Sequence, residues 1–441
     1  MHDINDHFDP DNFDINLSEI SKIEGAASLE IKVRDKKIED LKFSISEWKR
    51  FYTQAIQGKP AVAIPQLVAR ICGTCSNAHL LCSIKAIENA LSILPSNQTK
   101  LLRKLLHFGL LIRDHALHLY IFALPDIYNK NSILEFDEND TVQNQLLEDT
   151  FAVKEVGNQL SIIIGGRSVH APNPTIGGFH KLPKIDDLKN LRPKLQQIRP
   201  KIINLVEIFA KVTSVLKPRI QPSFSSLTSD DFSFLDGIMK SAAGKALSER
   251  ELDKYLEAVI IPYSHARGFK LNGNLMMVGA LARLNLSKQS LHPKTKIDIN
   301  NYLSLFPSSN IYHNNLAQAI EILHVIDTSL DIIDRLNEIA EEKPPKITPK
   351  ESVGVGIIEA PRGTLYHKYK IDSQGLVKKA EIIVPTGQNQ VLMEKGIYEQ
   401  TERLLLEDAD KEKITLEAEK LIRAFDPCMS CASHFLQVNW R

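Results

Sequence analysis

FDPCMSCASH, Phe425 to His434, and ARICGTCSNAH, Ala69 to His79, are the two stretches that decide how this chain folds. Each carries a C-x-x-C pair, Cys428/Cys431 and Cys72/Cys75, and each pair is followed by a histidine, His434 or His79. The two-residue gap lets both sulfurs of a pair reach one ion from a single turn of chain. Four thiolates together make a soft, electron-rich site suited to zinc, nickel or an iron–sulfur centre. Most of the chain lies between the pairs, so a shared site must clamp its two ends together. On spacing alone, a structural four-cysteine zinc site and a catalytic metal site both remain open.

Composition narrows the classes. With 441 residues there is room for one large domain or two ordinary ones. No internal repeat, low-complexity tract or linker interrupts the chain, so residues 1–441 read as a single domain. Lysine plus arginine equals aspartate plus glutamate, 54 each, which supplies no field for nucleic acid or an anionic membrane. No apolar run approaches the ~20 residues of a membrane span. MHDINDHFDPDNFDIN, residues 1–16, reads as a flexible acidic lead without a secretory or twin-arginine signal. Five cysteines, four of them paired as above, are too few for a disulfide scaffold and fit a reduced, cytoplasmic compartment. The fifth, Cys82, reads as a small buried apolar residue.

Working outward, ASLEIKV (Ala27–Val33) and Ile38–Ile45 alternate around Asp35-Lys36-Lys37 and predict a β-hairpin. From Pro65 to about Tyr128 the apolar period becomes helical, and of Arg113, His115 and His118 on the second helix one or two are expected to satisfy buried hydrogen bonds rather than to bind a metal. Leu146–Ile164 is another helical run, leading into GGRSVHAPNPTIGGF, a loop forced by glycine and proline. That loop lacks the Walker lysine and the GxGxxG spacing of phosphate sites. Ile202, Val206, Phe209, Thr213 and Leu216 mark a helix starting near Pro193 and Pro200. Residues 218–310 read as loops and short helices. Leu316, Ile320, Leu323 and Leu330 mark a long helix ended by KPPKITP, with His324 as a surface or core histidine. Tyr366–Ile371 and Val377–Val384 form a second hairpin, and a helix from Asp408 to Ala424 delivers the terminal cysteines. The expected class is mainly α with small β elements: a long buried helix bundle, peripheral hairpins, and two C-x-x-C segments meeting at one buried metal site.

RxCGxCxxxH and DPCxxCxxH are together the paired signatures of the nickel–iron hydrogenase large subunit. This sequence resembles that family at both motifs and, between them, at SKIEG (Ser21–Gly25), the GGR loop, APRG (Ala360–Gly363) and VPT (Val384–Thr386). The resemblance implies reversible cleavage of H2 at a nickel–iron centre. Cys72 and Cys428 would bind nickel terminally, while Cys75 and Cys431 would bridge it to an iron that carries carbon monoxide and cyanide. It implies that Arg362 lies over the metals, oriented by Asp126 and Asp426, and that Pro385 and Thr386 line the pocket of the diatomic ligands. Cys428 and Glu24 would pass the proton outward, and His79, Arg167 and His170 would support the site. A magnesium would use His434 and the Ile382 carbonyl. Electrons would leave through an iron–sulfur small subunit, since no further cysteine pairs remain, and diaphorase-type subunits would carry them to NAD(P).

The sequence departs from the family in three places. Ala26 and Lys22 stand where SKIEG would have histidine and arginine, and Thr53 in RFYTQAIQGK replaces a glutamate that serves the magnesium. The tail FLQVNWR, residues 435–441, matches a segment that a maturation protease removes after a chaperone-assisted nickel insertion. Its length and the CxSCxxH form lean toward the cytoplasmic, nicotinamide-linked, sulfhydrogenase-type branch. The rivals are a non-catalytic relative of the kind found in respiratory complex I, which has lost the cysteines, and a structural zinc protein, which leaves APRG, VPT and the GGR loop unexplained.

Overall fold

Residues 11–242, 246–247 and 249–433 are described by the computed structural model, and their apolar periods resolve into long helices and small, mostly antiparallel sheets. β1 (Phe13–Leu17), β2 (Ala27–Arg34) and β3 (Lys37–Ile45) form a sheet in that order. Alternation turns Ala27, Leu29, Ile31 and Val33 to one buried face, and Asp35 and Lys36 close the hairpin with positive φ. β1 is a correction: residues 13–16, expected inside a flexible lead, pair with β2. Phe13 faces Val33 and Ile15 faces Ile31 in that pairing, which buries both.

α1 (Ser76–Leu91) follows directly from Cys75, and α2 (Asn97–Ala116) begins where the Ser96 hydroxyl accepts from the Thr99 N–H. α3 (Thr141–Gly165) is capped in the same way by Asp140. α4 (Ile185–Ala210) starts well before the predicted point and carries Pro193 and Pro200 inside it. Both prolines are exposed, as are Lys189 and Gln196, whose carbonyls lose their donors, so water can satisfy them while Leu188, Leu195 and Ile202 stay packed.

The stretch expected as loops and short helices also holds strands. β4 (Ser223–Thr228) pairs with β5 (Ile238–Ser241), and β6 (Leu256–Val259) with β7 (Gly268–Leu271). β4 is buried on both faces, with Ser225 on one and Ser226 on the other, so no apolar alternation announces the strand. α5 (Ala280–Ser287) precedes α6 (His313–Arg335), which ends where Leu336 turns extended, ahead of KPPKITP. His324 on α6 is a core residue, 1% exposed.

β8 (Ser352–Ala360), β9 (Gly363–Ile371) and β10 (Val377–Ile383) make a three-stranded sheet, so the second hairpin gains a strand. This hairpin is not peripheral: β8 is buried from Gly354 to Ala360 and packs on α1. α7 (Pro385–Leu406) and α8 (Lys411–Ala424) complete the chain before the second cysteine pair. One continuous apolar cluster runs from Phe13 to Ala432 and contains all four paired cysteines. Among the described residues, no helix is long and apolar enough to cross a membrane.

Candidate metal centre

Both cysteine pairs sit where an extended residue meets a helical turn. Cys72 is extended after the turn Ala69–Ile71, and Cys75 caps α1. Cys428 is extended before the turn Met429–Ala432, which contains Cys431. Across the pairs the Cys72 and Cys428 sulfurs lie 3.4 Å apart and those of Cys75 and Cys431 3.1 Å. All four lie within 4.8 Å of one another, and all are buried. Thiols this close cannot all ionise alone. Hydrogen bonds from Cys428, Cys431 and Cys75 pull Cys72 well below the usual thiol range, whereas burial pushes Cys428 and Cys431 well above it. A dication among them reverses that balance by holding every sulfur as thiolate.

Arg362 occupies the two-residue turn between β8 and β9, whose ends pair Ala360 with Gly363. It is 4% exposed, and its Nη1 donates to Asp114 Oδ2 at 2.6 Å while Nη2 lies 3.1 Å from Asp426 Oδ1. Burial opposes its charge, but the two carboxylates outweigh it and hold the guanidinium ionised. At Asp426 the pull of Arg362 likewise overcomes burial and keeps the carboxyl below its ordinary range. Arg362 Nε is buried without a hydrogen-bond partner among the described residues. The same side chain lines a small cavity with Cys75, Cys428, Cys431, Pro385 and Thr386. Thr386 Oγ1 also accepts from the Cys428 N–H at 2.8 Å, which ties α7 to the second pair.

Asp126 is a second correction. Its carboxylate accepts from Arg423 Nε and Lys22 Nζ, both at 2.6 Å, rather than from Arg362. α2 presents Asp114 to Arg362, whereas Asp126 lies beyond the π-helical turn Leu117–Ala123, next to α8. Asp114 and Gln318 were not foreseen. The available signal was Arg113-Asp114-His115, an ionisable triplet that follows the apolar run Phe108–Ile112 of α2. Gln318 Nε2 donates to Asp426 Oδ2 at 2.8 Å, and its Oε1 meets His118 Nδ1 at 2.6 Å.

Glu24 reaches the site from the N-terminal side. Its Oε2 lies 3.0 Å from Cys428 Sγ and accepts from the Ser430 N–H at 3.1 Å, while its carbonyl accepts from the Met429 N–H. Burial first, and the nearby Cys72 charge second, raise its pKa above the ordinary value. Gly25 makes this approach feasible: its φ is +80°, and a Cβ there would stand 2.9 Å from that of Met429.

His79 Nε2 lies 3.4 Å from Cys431 Sγ, and its Nδ1 meets His367 Nε2 at 3.2 Å. Burial lowers the His79 pKa to about 4. The His170 N–H donates to Ser76 Oγ, so the GGR loop is pinned to the start of α1, while Arg167 is exposed on it. Thr53 is buried with its hydroxyl on Gln54, and Ile382 lies in β10 opposite His367. His434 and residues 435–441 lie outside the described residues, as do residues 1–10.

Among the described residues the clustered donor set is four thiols, with the Arg362 guanidinium nearby, and it fits soft metals. Buried Arg362 Nε, with no acceptor among the described residues, fits a ligand that brings acceptor atoms of its own.

Comparison with known proteins agrees. Residues 50–149 and 239–434 match the family model described as nickel-dependent hydrogenase. The alpha subunit of sulfhydrogenase 2 from Pyrococcus furiosus is 32% identical over 431 residues, covering 96% of this chain and 100% of that protein. The alpha subunit of sulfhydrogenase 1 from the same organism is 30% identical, covering 96% of this chain and 98% of that protein. In fold, the chain resembles an NAD+-reducing [NiFe]-hydrogenase solved in the H2-reduced state, with a TM-score of 0.81 at 24% identity over 96% of this chain and 99% of that one.

Proposed function

This chain belongs to the nickel-dependent hydrogenase family, and from that premise we propose how its residues divide the work. It is a hydrogenase large subunit, an oxidoreductase acting on H2, with a four-cysteine metal site for nickel and iron. One observation carries this reading: sulfurs from opposite ends of the chain converge within 4.8 Å.

In this proposal Cys72 and Cys428 would hold the nickel, and Cys75 and Cys431 would be shared between nickel and iron. The cavity beside Arg362 touches Cys75, Cys428 and Cys431 but not Cys72, which supports an iron on that side with its carbon monoxide and cyanide ligands. Arg362 Nε and Thr386 supply hydrogen-bonding capacity there, and Pro385 supplies an apolar wall. When bound, nickel and iron supply the redox step that cleaves H2 heterolytically and takes up its two electrons. Arg362, kept charged by Asp114 and Asp426, presents fixed positive charge to the reacting site. Cys428 and Glu24, 3.0 Å apart, form the first step of the proton's path outward. A thiol and a buried carboxyl suit that relay better than a guanidinium, which does not release its proton.

Magnesium is the weakest-supported cofactor. Thr53 brings no charge, and a hard cation near the Ile382 carbonyl and His434 would keep several waters. Cys82, the only other cysteine, is buried against the Gly356 and Leu365 carbonyls, and burial pushes its thiol far up. We therefore assign electron exit to an iron–sulfur small subunit. The NAD+-reducing hydrogenase of similar fold supports an NAD(P) acceptor, and to reach it we propose diaphorase-type subunits in a cytoplasmic complex. Residues 1–441 are taken as one large-subunit domain whose segment 435–441 is removed at maturation.

Metal analysis of the purified complex, joined to an infrared spectrum, tests the proposal. Nickel and iron near one each, with carbon monoxide and cyanide bands, is the expected result. Zinc, or metals without those bands in a chain trimmed after His434, would sink it.

A further inference from the structure

Arg283 lies on α5, in the stretch of sequence that carries no motif, and is 2% exposed. All five of its N–H groups have acceptors. Nε donates to Glu321 Oε1 at 2.6 Å and Nη2 to Glu321 Oε2 at 2.7 Å, a two-pronged grip on α6. Nη1 donates to Glu359 Oε2 at 3.0 Å. The remaining two reach consecutive carbonyls, Ala360 at 3.1 Å and Pro361 at 2.9 Å. The next residue is Arg362.

The acceptors are themselves held. Glu359 Oε1 accepts from the Leu227 N–H at 2.8 Å and from Thr364 Oγ1 at 2.7 Å, so its carboxylate cannot swing. Glu321 Oε2 lies 3.0 Å from His115 Nε2, and His115 follows Asp114 on α2. One guanidinium therefore joins the turn that carries Arg362 to the helix that carries its carboxylate partner.

Stability alone does not account for this arrangement. Well-packed apolar side chains often stabilise a core as much as a buried ion group, or more. A rigid planar fork with five donors does what they cannot, which is to fix the direction of several acceptors at once. The turn needs it, because the carbonyls of Ala360 and Pro361 precede the residue whose direction matters.

We propose that Arg283 is the positioning residue of the Arg362 turn: it holds the two carbonyls before Arg362 and, through Glu321 and His115, the helix bearing Asp114. The guanidinium and its carboxylate are thereby aimed together at the cysteine site. This rests on the role given to Arg362 above.

The test compares Arg283→Lys, Arg362→Lys and the double variant in the assembled complex. Nickel and iron content, kcat and KM for H2-dependent dye reduction, and the infrared bands are read for each. Lysine keeps the charge but cannot span both carboxylates and both carbonyls. Arg283→Lys should retain its metals, lose kcat roughly ten- to a hundred-fold at unchanged KM, and shift the diatomic bands in the same sense as Arg362→Lys. The double variant should be no worse than Arg362→Lys alone. Fully loaded Arg283→Lys with wild-type kcat and bands, or losses that multiply in the double variant, would overturn the proposal. Should Arg283→Lys fail to assemble, Glu321→Gln takes its place under the same criteria. If that also fails to assemble, Arg283 is a folding element and the proposal falls. Wild-type kcat in Arg362→Lys would instead overturn the role of Arg362, leaving the band shift to judge Arg283.

Discussion

Arg362 and Asp114 lie 248 positions apart in the chain and meet through a 2.6 Å hydrogen bond, both buried beside the cysteine pairs. Asp114→Asn keeps the shape of that contact and removes its charge, leaving Asp426 alone to balance the guanidinium. Turnover per nickel should fall roughly ten- to a hundred-fold, with a stability loss of about 3 kcal/mol. Asp126→Asn weakens the Arg423 and Lys22 pairs instead, so it should cost stability while leaving turnover per nickel near wild type. A larger turnover loss in Asp126→Asn than in Asp114→Asn would reverse the assignment.

The ordering of those two aspartates marks what the sequence could and could not convey. The cysteine pairs, APRG and VPT are local patterns, and the convergence of the cysteines follows from chemistry that needs all four at once. Which carboxylate meets Arg362 depends on how far α2 runs and how the π-helical turn redirects the chain, and no local pattern encodes that. Long helices were legible because their buried faces repeat, but Pro193 and Pro200 misled because exposure, invisible in sequence, is what makes them tolerable. β1 hid inside an acidic stretch because only Phe13 and Ile15 face inward. No local pattern marks Arg283, since its acceptors come from α6, β8 and the β8–β9 turn.

Glu24→Gln tests the proton path. Glutamine can still accept from the Ser430 N–H, so the segment should keep its place and the metals should stay bound. Turnover should drop by roughly a hundred- to ten-thousand-fold, the range for loss of a positioned acid–base group. Hydrogen–deuterium exchange at the wild-type rate would rule out this route.

His324 gives a pH dependence remote from the metals. Its ring is enclosed by Phe108, Phe232 and Phe234, its Nδ1 accepts from the His292 N–H at 2.9 Å, and its Nε2 is buried without a partner among the described residues. Burial, then the charges of Lys104 and His292, lower its pKa from 6.5 to about 3. The unfolded chain takes up a proton near pH 6.5 that the folded chain refuses. The stability contribution is therefore complete above pH 6.5 and is lost progressively as pH falls toward 3. Between pH 6.5 and 5 the loss is about 2 kcal/mol. His324→Gln keeps an acceptor for His292 and cannot titrate, so its urea midpoint should fall less from pH 7 to pH 5 than that of the wild type. Equal falls would show that His324 is not held neutral.

Gly354→Ala probes how β8 lies on α1. A Cβ at Gly354 would stand 2.0 Å from the Ala86 carbonyl oxygen and 2.6 Å from Ala90 Cβ, both backbone-close atoms that no rotamer change can clear. The glycine lets strand and helix touch directly, and one methyl must push them apart at a cost of about 1–3 kcal/mol. The clash falls about three helical turns from Cys75, at the end of β8 away from Arg362. Between clash and metal site stand the Cys82–Gly356 contact and the anchored Glu359 carboxylate, which resist transmission of the shift. Gly354→Ala should therefore unfold at lower temperature or urea concentration yet keep turnover per nickel within about two-fold of the wild type. Loss of turnover in parallel with stability would mean that the α1–β8 seam, and not the Arg283 contacts alone, sets where Arg362 stands.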